Sequence, residues 1–174
     1  MIAYRRLLVA SLATLVAAAA CTAAAITGDD RSSDVALQLK APALVQCPTN
    51  ETTSSTAVVG PLGGIVSAGG TSIQIPAGAL LSDATVTVTV PQSKVMEVDV
   101  SVQGVEHFVF ELPVVVTLSY ARCSRSDIDA VPLSVWYIDR ESKGLLEQMP
   151  SVDDKLTRTI TFTTGHLSGY AVAN

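Results

Sequence analysis

The sequence predicts an all-β chain, an antiparallel sandwich or barrel, on three observations. First, apolar and polar residues alternate from about Ala57 onward. ATVTVTV (84–90) puts Val86, Val88 and Val90 on one face and Thr85, Thr87 and Thr89 on the other. Such a strand buries one face and offers the other to water. Second, turn signals separate the alternating segments: GPLGG, PAGALLSD, VQG, DRESKG and SVDD. Third, helical spacing is nearly absent. SRSDIDAVP (124–132) offers one short turn, with Ser124 or Ser126 as its cap and Pro132 as its end.

Taken in order, the chain opens with MIAYRRLLVASLATLVAAAAC. Arg5 and Arg6 form a positive start, Leu7 to Ala20 is 14 residues without a charge, and Cys21 follows. This is the layout of a secretory signal peptide over residues 1–20. AAAAC resembles a bacterial lipobox, although Ala18 stands where Leu is preferred. That resemblance implies a lipid on Cys21. Two alternatives stay open: ordinary cleavage near Ala23 or Ala25, and an uncleaved anchor over residues 7–26.

Residues 21–56 are expected to form a flexible tether and N-terminal arm. CTAAAITGDDRSSD is small and polar, DVALQLKAPALVQ has no clear period, and NETTSST is a second polar run. Asn50-Glu51-Thr52 matches the N-glycosylation pattern, which carries no weight because the lipobox-like signal implies a bacterial host.

The net charge is −5, and removing residues 1–20 takes away two arginines and no acid, leaving −7. An acidic chain without a Lys/Arg cluster argues against nucleic acid or anionic lipid as a partner, since phosphate binding needs such clusters. Apart from Cys21, the cysteines are Cys47 and Cys123. An even pair in an exported chain predicts a disulfide that staples the arm to the domain, the alternative being two buried free thiols.

The domain is expected over residues 57–174. TSIQI (71–75), HFVF, PVVVTLSY, LSVWYID and LTRTITFTT alternate as ATVTVTV does. The inward set is Ile65, Ile73, Ile75, Val86, Val88, Phe108, Phe110, Val114, Val116, Leu118, Val135, Tyr137, Ile160 and Phe162, with Trp136 outward. A slip of one residue would reverse every side chain in a strand. Pro113 is expected to begin a strand, because it has no N–H for the ladder.

Four stretches resemble the ZU-five domain, a β-sandwich of zonula-occludens proteins, netrin receptors and ankyrins with exported bacterial relatives. They are GPLGGIVSAGGTSIQIPAGAL, ATVTVTVP, FELPVVVTLSY and the ending DRESKGLLEQMPSVDDKLTRTITFTTGHLSGYAV. The resemblance runs from Gly60 to Val172 and implies a sandwich that works through protein partners.

Some sandwich domains of this kind cut themselves at His-x-Ser. In TTGHLSGYAVAN the Ser168 hydroxyl would attack the Leu167 carbonyl, with His166 as general base. Strain in the peptide and an oxyanion donor are also required. The simpler expectation is that His166 and Ser168 hydrogen-bond within a turn and hold the last strand. The cut would free only residues 168–174.

Other chemistry finds little support. There are two histidines, His107 and His166, and no HxH or HExxH spacing. Asp127 with Asp129, or Asp153 with Asp154, lacks the ligand spacing of a calcium loop, and SVDDK reads as a hairpin turn. Glu97, Asp99 and Glu106 read as a solvated strand face, not a glycosidase pair. No G-x-S-x-G or phosphate loop occurs. The sequence therefore predicts a non-enzymatic, cofactor-free interaction or structural module. Its expected place is extracytoplasmic, lipid-anchored to a bacterial membrane and meeting a protein partner at the cell envelope. The alternatives are a secreted or periplasmic location, and a self-cleaving domain.

Overall fold

The computed structural model describes residues 41–174; the side chains of Arg125 and Asp127 fall outside that description. The expected signal peptide, Cys21 and the tether up to residue 40 also lie outside the described residues.

Among the described residues there are eleven strands: β1 (Thr53–Val59), β2 (Gly64–Ala68), β3 (Thr71–Ile75), β4 (Ala84–Val90), β5 (Glu97–Val102), β6 (Val109–Ser119), β7 (Ser134–Ile138), β8 (Leu145–Met149), β9 (Ser151–Asp154), β10 (Thr159–His166) and β11 (Gly169–Ala173). One helical turn, α1 (Arg125–Ile128), follows Ser124. The strands form two antiparallel sheets, ordered β1-β4-β5-β11-β7-β8 and β2-β3-β6-β10-β9. The described residues form a β-sandwich.

Alternation explains the core. Val86, Val88, Val90, Val98, Val100 and Val102 face Ile73, Val114, Val116, Leu118, Ile160 and Phe162 in one buried cluster. β2 corrects the expected phase. Ile65 is 65% exposed and Val66 is buried, because Val66 pairs with Ile73 and shares its inward face. Phe108 and Tyr137 are half-buried against the core, and Trp136 lies outward with its indole N–H on Ser134 Oγ at 3.1 Å.

The sandwich begins before residue 57. β1 starts at Thr53, and the stretch just before it is tied in by backbone bonds such as Val45 N to Val172 O, 2.9 Å. Val45 is buried. The Ser/Thr run lacks an apolar period, yet its hydroxyls match those of β4: Ser54 meets Thr89 at 2.9 Å and Thr56 meets Thr87 at 2.8 Å. Cross-strand hydroxyl pairs stabilise a sheet without any apolar pattern in the sequence.

Two further expectations change. SVDD is not a turn but β9, and the turn is residues 155–158, where Arg158 takes φ 57°. Asp154 Oδ1 accepts the N–H groups of Leu156 (2.9 Å) and Thr157 (3.2 Å) and so initiates that turn. Pro113 lies inside β6, where the register against β10 jumps from Val114 opposite Thr164 to Val109 opposite His166. A bulge is where a strand tolerates a missing donor. DRESKG is the expected β7–β8 turn, with Asp139 Oδ1 accepting from Ser142 N at 2.7 Å.

Candidate functional site

The β10–β11 corner holds the motif singled out in the sequence. Gly165 interrupts the β10 ladder, His166 rejoins it opposite Val109 as the last residue of β10, and Leu167 and Ser168 connect to β11. The His166 N–H donates to Thr164 Oγ1 at 3.2 Å. The Tyr170 hydroxyl donates to the His166 carbonyl at 2.6 Å and lies 2.9 Å from Thr164 Oγ1. Tyr170 is fully buried, and burial pushes its phenol up to about 12 against the opposing effect of Thr164. It stays neutral and serves as a donor.

The His166 ring is taken up by aromatic neighbours. It stands edge-on to Tyr137 with centroids 5.4 Å apart, and its Nδ1 lies 3.4 Å from the Tyr170 hydroxyl. Leu167 is buried, and its N–H donates to the Phe108 carbonyl at 3.0 Å. The Ser168 carbonyl accepts from Val100 N at 3.1 Å. Among the described residues no hydrogen bond joins the His166 ring to the Ser168 hydroxyl. Ser168 instead lines a cleft of about 240 Å³ with Leu167, Glu106 and His107. His107 was weighed in the sequence only as a metal ligand, because nothing in linear order places it near Ser168.

The opposite end of the sandwich carries the disulfide. Cys47 and Cys123 are bonded across a sequence separation of 76. Arg122 reinforces the junction by donating to the carbonyls of Pro48 and, at 2.7 Å, Val95. Arg158 donates to the carbonyls of Cys123 and, at 2.8 Å, Ala121. Beside them the Tyr120 hydroxyl donates to Asp153 Oδ1 at 2.5 Å, and Lys155 meets Asp153 Oδ2 at 2.8 Å. Lys155 also caps the Ile128 and Val131 carbonyls at 2.5 and 2.8 Å. Asp153 is thus a structural acid held by a phenol and an ammonium.

Of the three carboxylates considered for a glycosidase pair, two are held in ion pairs. Glu97 meets Lys143 at 2.6 Å and Asp99 meets Arg140 at 2.5 Å, while Glu106 sits in the loop after β5. Among the described residues no three His, Cys, Asp or Glu side chains converge as a metal site. The Asn50 carboxamide is committed to the Glu51 and Pro91 carbonyls at 2.8 and 3.0 Å and to Ser93 N at 3.2 Å. Its role is to anchor the entry to β1.

No family model matches the chain, and no curated protein matches it.

Proposed function

We propose that this protein is an exported, lipid-anchored β-sandwich of the bacterial cell envelope that acts as a non-enzymatic interaction module. The observation that carries the reading is the Cys47–Cys123 disulfide. Such bonds persist in oxidising compartments, outside the cytoplasm. The signal-like opening and Cys21 at its end agree with that placement, and the acidic charge disfavours nucleic acid. The ZU-five resemblance supports protein partners.

The contact surface on this reading is the outer edge of β1. Among the described residues it ends its sheet, and its seven residues, TSSTAVV, contain no charge and no proline. The other edge strands are shorter. β8 carries Glu147 and β9 carries Asp153 and Asp154. Edges that must not pair are usually kept short or charged, so a long neutral edge suits strand addition.

Intact mass spectrometry of protein extracted from membranes tests the placement. The expected result is a mature chain beginning at Cys21 with added acyl mass and a two-hydrogen deficit for the disulfide. A chain starting at Met1 with reduced cysteines overturns the proposal.

A further inference from the structure

We infer that the loop end of the sandwich binds a small organic cation with an apolar body, in a cleft between the β3–β4 and β5–β6 connections. This goes beyond the envelope reading and does not depend on it.

The cleft has a volume of about 490 Å³, within the range of small-molecule sites. Its apolar lining comes from buried Leu80 and Val102 and half-buried Phe108, with Leu81 and Val109 on the rim, 81% and 71% exposed. Large apolar side chains left in water around a concavity mark a site for an apolar partner.

The walls are held by the backbone. Gln103 N bonds to Thr85 O at 3.0 Å and ties the end of β5 to β4. Val105 N bonds to Val102 O at 3.2 Å, around a turn that needs Gly104 at φ 76°. Glu111 N bonds to Ala79 O at 3.1 Å, joining β6 to the β3–β4 connection. Leu167 N fixes the Phe108 carbonyl, and the Phe108 ring stands edge-on to Phe110 at 5.0 Å. A cleft with fixed walls loses little entropy when it is filled.

Charge selects the ligand. Asp83 and Glu111 line the cleft, and no Lys, Arg or His does. Asp83 and Glu111 have no ion-pair or side-chain hydrogen-bond partner among the described residues, whereas Glu97, Asp99 and Asp153 all have cations at hand. Two acidic residues without a cation of their own give the cleft a negative field, which attracts a positive charge and repels an anion. The Phe108 ring adds a surface on which an ammonium group can rest.

The test uses three probes of one shape: phenethylammonium, the neutral 2-phenylethanol and the anionic 3-phenylpropanoate. Each is titrated into the full chain labelled at methyl positions, at low salt, with shifts followed by NMR. Phenethylammonium is expected to move Leu81, Val105 and Val109 and to bind about tenfold tighter than the neutral probe. 3-Phenylpropanoate is expected to bind most weakly. Asp83→Asn with Glu111→Gln, two surface changes that leave the fold alone, should remove the preference for the cation but not all binding. Equal binding of the three probes, shifts confined to other regions, or a cation preference that survives the double substitution would overturn the inference.

Discussion

The Lys143 ammonium lies 2.6 Å from the Glu97 carboxylate, although a whole strand separates their elements. Glu97 is on β5, Lys143 is in the turn after β7, and β11 runs between the two. Arg140 reaches across in the same way to Asp99. The outward positions of β11 are Gly169, Ala171 and Ala173, and both alanines are fully buried although they point away from the core. A Cβ on Gly169 would lie 3.2 Å from Arg140 Cγ. The two ion pairs cross β11 at Gly169, opposite Asp99, and at Ala171, opposite Glu97.

Lys143→Met should therefore destabilise the fold by about 1–3 kcal/mol, because it leaves the buried Glu97 charge without its partner. Glu97→Gln in the same chain should recover most of that loss. Urea unfolding of the single and double variants measures it. Ala171→Leu should cost about 1–3 kcal/mol by overpacking the crossing.

Asp99 gives a pH dependence of defined sign. Burial raises its pKa, and Arg140 only partly offsets this. The folded state then holds the proton more tightly than the unfolded state. That contribution is present below the ordinary carboxylate value and is lost as pH rises through the raised one. Asp99→Asn should thus be more stable than the parent at neutral pH, with the difference closing in acid. Unfolding curves at the two conditions decide it.

Two phenols set the alkaline limit. Burial raises Tyr170 to about 12, and burial with Asp153 raises Tyr120 further. Their stabilising contribution is present below the ordinary phenol value and is lost as pH climbs through the folded-state values. Tyrosinate absorbance should therefore lag for these two residues and then appear together with loss of the β-sheet signal in circular dichroism. Tyr170→Phe should cost about 1 kcal/mol at neutral pH through the lost bond to the His166 carbonyl.

The disulfide should matter most for the segment before β1. Closing a loop with a sequence separation of 76 stabilises by up to about 4.5 kcal/mol in the chain-entropy account. Cys47→Ser with Cys123→Ser should lower the unfolding midpoint. It should also speed proteolysis before Thr53 ahead of the sandwich itself.

β11 also bears on self-cleavage. Residues 169–173 form a fully buried strand between β5 and β7, so a cut at Leu167–Ser168 would leave the fragment locked in the sheet. After denaturation the chain should still include residues 168–174, with the same result for Ser168→Ala apart from the mass of one oxygen. A free seven-residue peptide from the parent chain would reverse this reading.

Alternation was enough to read the strands and most of the buried face in the sequence, because a period of two belongs to the strand itself and needs no partner. The turns at Asp139–Gly144 and the pairing of two cysteines were legible for the same kind of local or counting reason. The phase of β2, the pairing of a Ser/Thr run as β1, and β9 in place of a turn were not. Each depends on which strand lies alongside. The same holds for His166, whose ring is placed by Tyr137 and Tyr170, and for the cleft that Asp83, Glu111 and Phe108 line together. Alternation of side chains is a property of one chain segment; which alternate set faces inward, and what each side chain touches, are properties of the two sheets together, and only the tertiary structure decides them.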